Sequence, residues 1–249
     1  MAGTAALQEL KTALSAVRKL IQLELRESPL DPPPVRSRPI VGALRAAIAV
    51  LTVAAFESYL HNAFREVVGG LRDQVSLQAL AGLPDKVRVT AVFGALERAM
   101  KGIGFGEPPK RADRLPDVLA ACASVLATPL EPDVFADTEG NPDATTVNRM
   151  FGQIGCQDVL RDADFRIRFE QLWGTPVAIE WPFQKLEEVA ARRHRAAHTG
   201  DAIEVPRTDL REGERFVRVL AGALDSKARA QCHHILGAAR RQHAGSSAK

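Results

Sequence analysis

Residues 37–68 read SRPIVGALRAAIAVLTVAAFESYLHNAFREVV. At helical spacing this run has two apolar flanks, one through Ile48, Leu51, Ala55 and Tyr59 and the other through Val53, Phe56, Leu60 and Phe64. A helix that is apolar on two sides packs on two sides. The spacing therefore predicts a central helix over 37–68, ended by Gly69-Gly70. The stretch from Ile40 to Phe56 is apolar-rich, but Arg45 within it and Glu57 beside it leave it short of an uninterrupted membrane span of about 20 residues. It is expected to be buried in protein, with no membrane as partner.

Outward from that helix the pattern stays helical. Residues 4–27 carry Leu7, Leu10, Leu14, Val17 and Ile21 at three- and four-residue steps, and Ser28-Pro29 with Pro32, Pro33 and Pro34 stops the run. Shorter helices are expected at 84–101 and 115–127, a capped one at 143–151 leading to Gly155, another at 159–173, and a last long one over 209–239. Trp181-Pro182 opens the helix between the last two. The segments 102–109 and 128–143, rich in Gly, Pro and Asp, read as surface loops, and 244–249 as a disordered tail. With no repeat and no long linker, the expectation is one all-α domain over 1–249, a helical bundle with a loop-rich insertion.

Composition agrees with that class and narrows function. The chain has 249 residues, 46% hydrophobic and only 5% aromatic, enough to bury a substantial core. A net charge of +3 does not by itself announce nucleic acid, but basic residues cluster at Arg192, Arg193 and Arg195 and recur at Arg229, Arg240 and Arg241. Three cysteines, Cys122, Cys156 and Cys232, form no CxxC pair, which argues against a disulfide scaffold or a zinc knuckle. They read as reduced thiols of a cytoplasmic protein, and no signal-peptide pattern is seen at the N-terminus. Cys122 and Cys156 are expected to be buried small hydrophobes.

The chemistry-bearing stretch is Arg193-His194-Arg195-Ala196-Ala197-His198-Thr199-Gly200-Asp201. At about 100° per residue, Val189, Ala190, Arg193 and Ala197 fall within roughly 60° of Leu186 on the inward face. Arg192 and Arg195 project away from it. A charge on an inward face must be paired, or face a cavity or a partner, which singles out Arg193. His198 lies in the last turn, where the helix dipole favours an imidazolium, and Gly200 can supply a left-handed cap. An arginine that binds phosphate beside a histidine that moves a proton is ribonuclease-type chemistry. The plainer alternative is a solvated basic helix end.

Several segments in order, Phe56-Glu57-Ser58-Tyr59-Leu60, Gly140-Asn141-Pro142, Val147 to Phe151 with Ile154-Gly155, and then Leu186 to Asp201 ahead of a long helix, resemble HEPN proteins of the RiboL-PSP type. The resemblance runs from about residue 40 to 230. It implies an all-α HEPN-like bundle, a homodimer and a metal-independent endoribonuclease of toxin–antitoxin or anti-phage systems, with an R-x4–6-H motif and no cofactor. Carried over, the motif falls on Arg193 and His198, while Arg192 satisfies a looser spacing. His194 stands where the family often has Asn, and Glu57 corresponds to an acidic residue on the central helix that would orient an imidazole or Arg193. Arg192, His194 and Arg195 are expected to touch RNA. An antitoxin protein is the further partner implied.

Two rival readings stay open. His194 and His198 with Glu187 share a helix face and invite a metal, although no HExxH order accompanies them. The same basic groove would also serve a non-catalytic module that binds RNA, nucleotide or protein. Glu57 and His61, four residues apart, also fit an ordinary helix-surface pair. His233, His234 and His243 read as solvated. Gly102 to Gly106 lacks the strand and the Lys-Ser/Thr pair of a phosphate loop.

Overall fold

A computed structural model describes residues 3–74, 83–100, 111–127, 130–140 and 142–246; residues 102–109 and Asn141 lie outside them. The first helix, α1 (Ala5–Glu27), begins where Thr4 Oγ1 accepts the Leu7 N–H at 3.2 Å. It buries Leu7, Leu10, Leu14, Val17 and Ile21, the stripe that its spacing sets out. Each such side chain contributes about 1.5–3 kcal/mol when fully buried, counted against an extended chain. Helix α2 (Arg38–Arg72) starts on a proline in its first turn, which costs no backbone bond there.

Helix α2 is the axis of the molecule, with α1, α8 (Trp181–Thr199) and α9 (Arg207–Ser246) packed on it. Ile48, Tyr59, Val53, Phe56, Leu60 and Phe64 are buried as expected, but Leu51 is 47% exposed. The helix also runs through Gly69-Gly70 instead of ending there. Each glycine costs roughly 1 kcal/mol in a helix, and the burial of Val68 and Leu71 on either side outweighs that. Val35–Arg72 is the one helix among the described residues long and apolar enough to cross a bilayer, and half of its most apolar window is buried.

Three further departures have local causes. The described part of 128–143 is not a surface loop: a short helix, α5 (Pro132–Phe135), is strapped across α2 and α3 (Asp85–Met100) with Leu130, Phe135 and Ala136 fully buried. A Cβ on Gly94 of α3 would lie 2.3 Å from Val134, so only glycine permits this approach. The expected helix 159–173 is broken into a 3-10 turn, Val159–Arg161, and α7 (Ala163–Trp173), because Asp162 leaves helical geometry to cap the Phe165 N–H at 2.9 Å. Residues 244–246 continue α9, and 247–249 lie outside the described residues. The helices at 115–127 (α4, Leu115–Ala127) and after Asp143 (α6, Ala144–Gln153) form as expected.

A buried ion network fixes the corner between α8 and α9. Arg45 of α2, 1% exposed, donates to Glu24 Oε1 at 2.9 Å, to Asp31 Oδ1 at 2.9 Å, and to the carbonyls of Ile203 and Val205 at 3.1 and 2.8 Å. Arg207, at the start of α9, pairs with the same Glu24, and its backbone N–H donates to Asp31 Oδ2 at 2.8 Å. Two cations and two anions thus join α1, the proline-rich turn, α2 and α9. At the corner itself Ala202 donates to the Gly42 carbonyl at 3.3 Å, which sets the end of α8 against the start of α2.

Candidate functional site

Aromatic packing seats the start of α8: Trp181 lies 5.2 Å from Trp173, 5.9 Å from Phe169 and 5.5 Å from Phe216, ring centre to ring centre. Its end is set by Gly200, left-handed at φ +66°, whose N–H donates to Ala196 O at 2.9 Å. Between these ends, positions 187, 190, 191, 194 and 198 share one face. That face lines an open groove of about 580 Å³. The small Ala190 and Ala191 leave it room, while His194, Arg195 and His198 project into it with Glu187 and Asp143.

His194 and His198 meet edge to face, ring centres 4.4 Å apart and planes at 67°. Both are exposed, and neither imidazole has a hydrogen-bond partner among the described residues. Arg195 is likewise exposed, with no ion pair for its guanidinium among them. The two carboxylates have structural partners at the start of α6. Asp143 Oδ1 accepts the Thr146 N–H at 2.7 Å, and Glu187 Oε1 accepts the Ala144 N–H at 2.9 Å. A helix N-terminus favours negative charge there.

The remaining motif residues lie elsewhere. Leu186 and Val189 are buried on the inward face, as expected, and Arg193 beside them is half-buried. Its Nε is buried without a partner, and the residue does not line the groove. Ala197, expected inward, is exposed. Arg192, expected to touch RNA, is instead tied to α9: it donates to Asp209 Oδ2 at 2.7 Å and pairs with Glu188. Glu57 is not brought to the groove. Its carboxylate accepts from Thr138 Oγ1 at 3.1 Å, and His61 Nδ1 donates to Ala136 O at 3.0 Å, so this pair holds the α5 strap onto α2.

Other titratable groups offer no rival centre. Glu187 does share a face with the two histidines, but no three His, Cys, Asp or Glu side chains are grouped to hold a metal among the described residues. Cys156 and Cys232 are buried, whereas Cys122 is exposed, contrary to expectation, because α4 turns that side of itself to solvent. Burial raises the Cys156 thiol and pushes that of Cys232 up to about 12. Both are therefore poor nucleophiles. His233 and His234 are exposed on α9, and the side chain of His243 lies outside those described.

Asp143 is the charged groove residue that sequence reasoning did not place with the histidines, whereas Glu187 was set on their face only in the metal reading. Glu187 was legible as the residue two turns before His194. Asp143 enters only by tertiary packing of α6 on α8. Compared with known proteins, residues 8–229 match a family model described as RiboL-PSP-HEPN. Neither a curated protein nor a solved structure matches the chain.

Proposed function

Because the chain belongs to the RiboL-PSP-HEPN family, we propose that it is a metal-independent endoribonuclease that leaves a 2′,3′-cyclic phosphate and a 5′-hydroxyl. The observation that carries the reading is the pair of unpartnered imidazoles, His194 and His198, sharing an open groove with the unpaired guanidinium of Arg195. RNA supplies its own nucleophile, a 2′-hydroxyl held next to the phosphorus. The protein must add proton transfer and stabilisation of charge on the phosphorane. In this reading His198 takes the 2′-hydroxyl proton, as an imidazole that lines the groove with no hydrogen-bond partner among the described residues can. Arg195 grips non-bridging oxygens from within the groove, and Arg193, whose Nε has no hydrogen-bond partner among the described residues, offers a second guanidinium on the flank of the same helix.

The biological setting proposed with it is a cytoplasmic toxin or anti-phage effector, held in check by an antitoxin protein. The active unit is a homodimer. Ile40, Ala43, Leu51 and Ala54 form an exposed apolar stripe on α2, a surface that a second copy would cover by two-fold pairing. The test is cleavage of single-stranded RNA in EDTA by the wild type and by His198→Ala, Arg193→Ala and Arg195→Ala. A loss of about 10²–10⁴-fold on removing His198 is expected; undiminished cutting by that variant overturns the assignment. The placement of Glu57 and Arg193 away from the groove favours a second reading, a non-catalytic module that binds RNA. Tight binding of the same oligonucleotide by wild type without any cleavage would select it.

A further inference from the structure

Transesterification of RNA moves two protons, one off the attacking 2′-oxygen and one onto the leaving 5′-oxygen. If His198 takes the first, another group must give the second. An arginine cannot, because guanidinium stays protonated. Glu57 is engaged with Thr138 away from the groove. Of the groove's own acidic groups, Asp143 and Glu187 are held at the start of α6, where each accepts a backbone N–H bond. Thr199 is spent on the helix end, its hydroxyl within 2.7 Å of Asp201 O. Among the described side chains of one protomer's groove that leaves His194, exposed, without a hydrogen-bond partner among them, and in ring contact with His198.

We propose that His194 is the second catalytic residue of this groove, the general acid that protonates the leaving 5′-oxygen while His198 acts as base. The inference rests on the ribonuclease reading above. In the step, the 2′-oxygen loses its proton to neutral His198 and bonds to phosphorus. The bond from phosphorus to the 5′-oxygen breaks, and the imidazolium of His194 gives that oxygen its proton. His198 ends protonated and His194 neutral, and exchange with water in the open groove resets both. The ring contact, 4.4 Å between centres, sets both imidazoles on the same wall of the groove, where one bound phosphodiester can meet both.

The experiment compares two oligonucleotides in EDTA, one all-oxygen and one with sulfur in place of the scissile 5′-oxygen, a leaving group that needs no proton. Wild type, His194→Ala, His194→Asn and His198→Ala are assayed on both, with circular dichroism as the check on folding. Both His194 variants are expected to lose about 10²–10⁴-fold on the oxygen substrate and to recover most of it on the sulfur substrate. His198→Ala is expected to stay slow on both. Equal impairment of the His194 variants on the two substrates, or wild-type cleavage of the oxygen substrate by either, overturns the proposal while leaving the ribonuclease reading intact. Absence of cleavage by wild type on both substrates removes the reading and the proposal together.

Discussion

At the scale of single residues the sharpest contrast is between arginines that are neighbours in sequence. Helical angle alone separates Arg192 from Arg193, and the structure gives Arg192 a structural task between α8 and α9 while Arg193 keeps an unpartnered Nε. What angle could not show is that Arg195, on the outward side, enters the groove. Its wall includes Asp143, more than forty residues earlier in the chain. The cysteines give a direct test. With Cys232 at about 12 and Cys156 raised by burial, a thiol reagent at neutral pH is expected to modify Cys122 in the native protein and the other two only after denaturation. Peptide mapping by mass spectrometry before and after guanidinium reads this out. Arg45→Met is expected to cost about 3–5 kcal/mol in urea unfolding, because it leaves Glu24 buried without one of its two cations.

The elements follow their caps where caps exist. Thr4 and Gly200 mark helix ends in the sequence, and the chain starts or stops there because a side-chain oxygen or a left-handed glycine satisfies the free backbone groups. The errors fall where packing overrides the local signal. Val68 and Leu71 carry α2 through two glycines, and Pro132 with Phe135 turns an apparent loop into a buried strap. At Asp162, inside the helix expected over 159–173, the local signal prevails instead, because aspartate is a good N-cap and starts α7. Asp143→Ala is expected to destabilise by about 1 kcal/mol in thermal or urea unfolding through loss of the α6 cap. Gly94→Val is expected to cost more than that, since the new side chain meets the stiff, branched side chain of Val134.

For the whole molecule, acid should be the weak side. Burial acts to raise the carboxyls of Asp31 and Asp162, but for Asp31 hydrogen bonds from the Arg207 N–H and Arg45, and for Asp162 those from Lys227 and the Phe165 N–H, outweigh it and hold both below the ordinary value of 3.8. A depressed carboxyl stabilises the folded state above its unfolded pKa and loses that contribution as pH falls through the folded one. Stability measured by urea titration is therefore expected to be flat with respect to these groups near neutrality and to fall as pH drops below about 4. On the exposed stripe of α2, Leu51→Glu is expected to leave that stability nearly unchanged while converting dimer to monomer in sedimentation. A monomeric wild type would remove the dimer from the proposal.

The ion network at the corner of α8 and α9 has a consequence for how much of the chain can be dispensed with. Glu24 and Asp31 lie near the start of the matched residues 8–229, in α1 and the proline-rich turn, and they neutralise Arg45 and Arg207 inside the molecule. The first helix and its proline-rich turn therefore act as a tethered counter-ion for everything that follows. A polypeptide beginning at Arg38 would carry two buried cations with no anion, and it is expected to be recovered as aggregate or as an unfolded chain in circular dichroism. Supplying residues 3–37 as a separate peptide should restore helicity.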